Sequence, residues 1–345
     1  MKRWLTALQI AFTYIGTIVG AGFATGQEIL QFFTKYGRWG TLTILAASIL
    51  FVWLGTKLML SSQRIGAKSY EDLNRHLFGP SAGKWVSRFL MLFLFGISSV
   101  MLAGAGTVFK EHFQISYQIG LLITILLSYL IIRRGMKAIF TVNSIVVPLM
   151  FCYICFVVVQ AVHSPSASNW VEWNPPVDQL RVWLSPLLYT AFNLGLAQAV
   201  LVPIGGHISD RSTIRLGGML GGLGVGIMLL ALHFSLSSQM PSVALYEIPM
   251  ARLAFELPVF VQLLFILIIF AEIFTTFIAD IYGLVTQLED KTPLSQTKLL
   301  VLLLAACFMI SQIGFSSLLS TLYPLFGIIS SAWLAALIIK RNDDS

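Results

Sequence analysis

Apolar residues along this chain fall into long, nearly uninterrupted runs, with polar residues confined to short stretches between them. A helix at the surface of a soluble protein would instead carry a spaced apolar stripe. A helix crossing a bilayer needs about twenty residues. On that length the runs predict ten spans, at 5–34, 39–62, 85–109, 117–133, 137–162, 180–206, 213–238, 258–288, 296–312 and 316–339. An even number puts both termini on one side. Ser69 to Phe78 predicts a short interfacial helix closed by Gly79-Pro80. His163 to Asp178, rich in Ser, Pro and Trp, and Pro249 to Glu256, as another short helix, are predicted to form lids on the opposite side. No linker marks a second domain, so residues 1–345 read as a single membrane domain.

Composition agrees. The chain is 57% hydrophobic and 11% charged, with a mean hydropathy of +0.83, which describes an all-α polytopic membrane protein. A net charge of +7 would suggest an anionic or nucleic-acid partner in a soluble protein. Here its distribution reports topology, and the expected partners are the lipid bilayer and a small solute, with no nucleic acid. With the amino terminus inside, seventeen of the 22 basic residues face the cytoplasm and five (Lys35, Arg38, Lys110, Arg181 and Arg252) lie outside, as the positive-inside rule requires. That predicts a multi-pass membrane protein with both termini cytoplasmic. Lys2 and Arg3 before an apolar run resemble a secretory leader, but the run continues past leader length, so it reads as a retained span. Cys152, Cys155 and Cys307 all fall inside predicted spans and are expected as buried thiols acting as small hydrophobes.

The first run holds an anomaly. Gly20, Gly22 and Gly26 sit within seven positions where a spanning helix keeps its strongest helix formers. Unpaired peptide groups cost several kcal/mol each in hydrocarbon, so unwound backbone is tolerated there only against a cavity or buried in protein. Two readings fit: an interrupted helix at a binding site, or small residues that admit a close neighbour. The sixth run echoes it. Tyr14 precedes Gly20 by six residues, as Tyr189 precedes Gly195, an offset of 175. Asn193, Gly195 and Gln198, with Pro203 and Gly205-Gly206 beyond, predict a second interruption. Five spans per half is odd, so residues 1–162 and 180–340 would be repeats of opposite orientation.

In the eighth run Glu272, Thr275, Thr276 and Asp280 share one helix face, and charged residues inside a span normally face a bundle interior or wet cavity. Paired hydroxyls and freed carbonyls are hard oxygen ligands suited to an alkali cation, and a nearby carboxylate can balance its charge or carry a proton. Thr275 and Thr276 are therefore the candidate ion ligands, against the plain reading that they bond their own helix; Glu272 and Asp280 are gating or proton candidates. Glu28 could gate the outer vestibule or bond into the first turn of the second half-helix. His233 reads as a hydrogen-bonded packing residue. Ser98, Ser99, Gly104 and Gly106 would form a small, slightly polar cavity wall. No His-Glu-x-x-His, Gly-x-Gly-Asp or Gly-x-Ser-Gly motif falls in a span, so no enzyme activity is expected.

Gly16-Thr17-Ile18-Val19-Gly20-Ala21-Gly22-Phe23 resembles the first-span motif of the neurotransmitter:sodium symporters, and Asn193-Leu194-Gly195-Leu196-Ala197 is similar to their sixth-span break. Gly20 through Glu28, with the overall length, more closely resembles the YkvI-type bacterial membrane proteins, grouped with amino-acid permeases of the APC superfamily. The resemblance implies a five-plus-five inverted repeat with helices 1 and 6 interrupted. It implies substrate contacts from Thr17, Gly20, Ala21, Gly22, Phe23, Phe192, Asn193 and Gly195, and a cation between the carbonyls of Gly16 and Val19 and the hydroxyls of Thr275 and Thr276. Span three has no tyrosine between Met91 and Phe109, where the symporters use one on the substrate carboxylate. Span five has no mid-membrane lysine of the kind that replaces the cation in some proton-driven relatives, which favours Na+ over H+. The function expected is secondary transport of a small amino-acid-like or amine solute by alternating access, with no cofactor beyond the coupling ion. The alternative is a permease-like sensor that binds a small ligand without moving it.

Overall fold

A computed structural model describes residues 2–253, 258–289 and 291–340, and every regular element among them is helical. The first run is not one helix. It comprises α1 (Lys2–Ile18), α2 (Ala21–Thr25) and α3 (Gln27–Phe32), divided at Val19 and Gly20 and again at Gly26. Gly26 has φ 81°, a conformation that costs glycine nothing and ends a helix cleanly. A 3-10 turn at Thr34–Tyr36 leads into α4 (Arg38–Leu50), which passes through a π turn at Phe51–Gly55 into α5 (Thr56–Ile65). That turn has a partner on the first run. The Tyr14 hydroxyl donates to the Phe51 carbonyl at 2.8 Å, and the tyrosine ring end occupies the space a side chain at Gly55 would need.

The predicted short helix is α6 (Tyr70–Phe78), with its ends where the sequence puts them. The Ser69 side chain accepts from the Asp72 amide, the Asp72 carboxylate accepts from the Ser69 amide, and Gly79 closes the helix. Then follow α7 (Pro80–His112), α8 (Tyr117–Ile132), α9 (Met136–Val162), α10 (Asn169–Glu172), α11 (Gln179–His207), α12 (Arg211–Ser237), α13 (Pro249–Arg252), α14 (Val259–Glu289), α15 (Gln296–Ser311) and α16 (Phe315–Ile339). Glu256, at the end of the second predicted lid, lies outside the described residues. Among the described residues six helices are long and apolar enough to cross a membrane: 38–65, 80–112, 179–207, 211–237, 259–289 and 315–339. Tyr117–Ile132, Pro148–Val162 and Gln296–Ser311 are apolar but shorter.

One helix shows how glycine sets the packing. On α12, Gly218, Gly222 and Gly226 recur every fourth residue and lie against Thr56, Val52 and Ser48 of the α4–α5 rod. Gly217, Gly221 and Gly224, turned the other way, receive Ile10, Tyr14 and Ile15 of α1. With no apolar/water contrast to drive helices together in lipid, such close approach supplies the attraction. A methyl group at any of these six positions would force a repacking. Two expectations fail locally. Cys152 and Cys155 are free and exposed on α9, because their helix face points away from the bundle; only Cys307 is buried. Ser98 and Ser99 donate to Leu94 and Phe95 carbonyls, while Gly104 packs under Phe315 and Gly106 under Tyr117. That stretch is a packing surface, not a cavity wall.

Candidate functional site

The break between α1 and α2 leaves backbone unpaired. Val19 still donates to Ile15, and Ala24 donates to Gly20, but the bonds Gly20→Gly16 and Phe23→Val19 that a continuous helix would make are absent among the described residues. Gly20 is extended (φ −117°, ψ −166°) and faces α14: a Cβ on it would stand 3.6 Å from the Thr276 Oγ1. Thr275 and Thr276 each donate to the Glu272 carbonyl at 3.0 Å. Their protons are thus committed to their own helix, as the plain reading holds, yet a hydroxyl that donates one way keeps lone pairs for an acceptor role the other way. The Glu272 Oε2 is buried and has no hydrogen-bond partner. Glu272, Gly16, Val19, Met228, Met150 and Phe151 help to line a void of about 10 Å³, roughly the space one water-sized guest requires. Gly16 itself is exposed on its outer side. Asp280, two turns on, is half-buried.

Thr17 sits one turn before the break, and its hydroxyl donates to the Thr13 carbonyl at 2.7 Å, keeping its lone pairs as Thr275 and Thr276 do. Phe23 is fully buried. The side chain of Ala21 lies outside the described ones. Glu28 lies in the first turn of α3, but instead of bonding into that turn its carboxylate folds back over Gly22, filling the place a side chain there would take. The Tyr189 hydroxyl donates to its Oε2 at 3.3 Å, and the phenol of Tyr323 of α16 stands beside the same carboxylate. Tyr323 carried no warning in the sequence, since an aromatic in an apolar run has no signature until its hydroxyl has a partner.

The sixth span corrects the sequence reading. α11 runs unbroken from Gln179 to His207, so Asn193 and Gly195 are not unwound. The amide donors turn onto their own helix: Asn193 donates to the Tyr189 carbonyl at 3.0 Å and Gln198 to the Gly195 carbonyl at 2.8 Å, while the Gln198 Oε1 is buried without a partner. Gly195 is a contact point, where a Cβ would stand 2.7 Å from the Ser330 Oγ. Phe192 stacks on Tyr323 with centroids 4.3 Å apart, and Phe93 packs on Phe192 and Phe326 at 5.5 and 4.0 Å. Directly against these rings is a cavity of about 290 Å³ between α7, α11 and α16, reached past Trp85 and Phe89. His233 is a packing residue, held between Thr34 at 3.0 Å and Thr41 at 3.2 Å.

On the far side of the break Gly26 is covered. Met250 of α13 covers Gly26, where a Cβ would stand 2.6 Å from its Cγ, and Gln27 donates to the Tyr246 carbonyl at 3.0 Å. The Tyr153 hydroxyl pins Met250 through its carbonyl at 2.8 Å. Trp170 of α10 donates to Thr41 at 2.9 Å. Both predicted lids therefore rest on the first and second spans.

Over 339 residues, 97% of this chain and 96% of the other, the sequence is 44% identical to the membrane protein YkvI of Bacillus subtilis (strain 168). The chain belongs to the YkvI family. Another B. subtilis protein, YyaD, is 24% identical over 336 residues, 97% of each chain. No family model matches the chain. Among solved structures, MhsT in complex with L-phenylalanine superposes with a TM-score of 0.66 at 14% identity, covering 95% of this chain and 88% of MhsT. At that identity the likeness speaks for the fold. This YkvI-family chain is a multi-pass membrane protein that shares the fold of MhsT.

Proposed function

We propose that this YkvI-family protein is a secondary transporter of a small amino-acid-like or amine solute, coupled to a cation with Na+ favoured over H+, that works by alternating access. One observation carries the reading: the first span is interrupted at Val19 and Gly20, directly opposite the Thr276 hydroxyl and beside an unpaired Glu272 oxygen. Bare backbone and an unpartnered carboxylate oxygen at one depth are costly unless a guest uses them. The carbonyls of Gly16 and Val19, the lone pairs of Thr275 and Thr276 and the Glu272 carboxylate would together offer hard oxygen ligands to a monovalent cation. A closed face over Gly26 and a cavity on the other side of the Phe192–Tyr323 stack fit one state of an alternating cycle. MhsT, of like fold, was crystallised with L-phenylalanine, which fits a small amino-acid-like or amine solute. In this reading ten spans form an inverted five-plus-five repeat of the APC type in a bacterial plasma membrane, with cytoplasmic termini.

Purified protein in sealed vesicles tests this. Imposed Na+ or pH gradients should drive accumulation of one member of a panel of labelled amino acids and amines. Ligand binding with no gradient-driven accumulation would assign the fold to sensing instead. Thr276→Val keeps shape and removes a ligand oxygen, so the Na+ concentration for half-maximal uptake should rise roughly tenfold, the loss of one hydrogen-bond-sized contact to a charge. Unchanged Na+ dependence would refute the ion site.

A further inference from the structure

Glu28 carries a carboxylate buried within the bundle. It is 5% exposed, and it forms no ion pair among the described residues, whose salt bridges all lie elsewhere. The Tyr189 hydroxyl donates to it at 3.3 Å and the Tyr323 phenol stands beside it. A hydroxyl donor aimed at the carboxyl oxygen suits the acceptor-only, ionised form. Among the described residues no cation pairs with it. Aromatic rings pack on the two phenols: Phe32, Phe33 and Phe51 on Tyr189 with centroids at 5.3, 4.9 and 6.0 Å, and Phe192 on Tyr323. The electron-rich face of an aromatic ring attracts a desolvated ammonium group and disfavours a carboxylate.

The position of the carboxylate matters as much as its charge. It lies over Gly22, against the backbone at the interruption of the first span. A free carboxylate brought by an amino acid to that backbone would meet a carboxylate already there, and like charges at such range in a desolvated site are strongly unfavourable. An ammonium group meets the opposite situation.

Resting on the transport reading above, we infer that this site selects organic cations, specifically a primary amine with an apolar body and no α-carboxylate. Glu28 is the counter-charge, the hydroxyls of Tyr189 and Tyr323 hold it in place, and Phe192 and Tyr323 face the apolar body. The 290 Å³ cavity beyond Phe93 is the approach to it when the aromatic stack parts.

Three molecules of one shape separate the charge classes: 2-phenylethylamine, L-phenylalanine and 3-phenylpropanoate. Their dissociation constants are read by thermal shift on the purified full chain, in wild type, Glu28→Gln and Tyr323→Phe. The amine should bind wild type at least tenfold more tightly than either other compound. Glu28→Gln should weaken the amine at least tenfold and leave L-phenylalanine no weaker, and Tyr323→Phe should weaken the amine severalfold, which keeps the test decisive if Glu28→Gln does not fold. Equal or tighter binding of L-phenylalanine, amine affinity untouched by both substitutions, or no shift with the amine overturns the inference. So does a shift produced by NaCl alone that Glu28→Gln abolishes, which would give the carboxylate to the inorganic cation. Counterflow in vesicles keeps the two ideas apart. Glu28-dependent amine binding without exchange removes transport and leaves the site; exchange of another solute indifferent to Glu28 removes the site and leaves transport.

Discussion

The first and sixth spans are made from the same parts, a tyrosine followed six residues later by glycine among small side chains, but only the first is interrupted. The difference lies in who satisfies the backbone and who fills the space. In the sixth, Asn193 and Gln198 turn back onto their own helix and Gly195 is closed by Ser330, so glycine serves contact between helices. In the first, no side-chain amide lies between Gly20 and Gly26, and Gly22 is covered by a carboxylate from six residues further along the same span. A glycine in a membrane helix can thus mean an opening or a tight seam, and the polar side chains beside it decide which.

The largest expected difference between the two spans comes from adding one methyl group to each. Gly22→Ala must expel the Glu28 carboxylate, so uptake should fall by on the order of 100-fold, as for displaced binding groups generally, with the protein still folded by size-exclusion and thermal melt. Gly195→Ala meets a rotatable serine side chain and gains ~1 kcal/mol of helix propensity, so uptake and melting temperature should stay close to wild type. Equal loss in both would mean that the sixth span opens as well.

The paired tyrosines offer a middle-sized contrast. Tyr14→Phe strands the Phe51 carbonyl in the π turn and should cost about 1–3 kcal/mol of stability, seen as a lower melting temperature with solute affinity preserved. Tyr189→Phe should do the reverse, weakening solute binding with little change in melting. If both lower only the melting temperature, Tyr189 belongs to the scaffold. The smallest effect is on Thr190, whose buried Oγ1 has no partner. Thr190→Val removes an unsatisfied group and should be neutral or stabilising by up to ~1 kcal/mol; a marked loss of uptake would show that this hydroxyl, too, meets the solute.

Much of this was legible from residue order. Long apolar runs place the helices to within a few residues, Ser69 and Gly79 bracket α6, and three close glycines locate the interruption. The sixth span misled because Gly195 is filled by Ser330, a residue 135 positions away, and a local pattern carries no sign of that. Glu28 was read from its place at the start of a helix, where a carboxylate suits the dipole; its actual partners come from the sixth and tenth spans. The hydroxyls of Thr275 and Thr276 were read as either self-bonded or ion ligands, and the geometry makes these compatible, since donation to the Glu272 carbonyl leaves lone pairs free.

The extra residue in the turn at Phe51–Gly55 exists around the tip of one phenol. By plugging into that loosened ring, Tyr14 welds the segment before the interruption to its neighbour, and the glycine seam of α12 clamps both. A tilt of the first span would carry these three together, and the place for its pivot is Val19 and Gly20, where the chain already lacks its ladder.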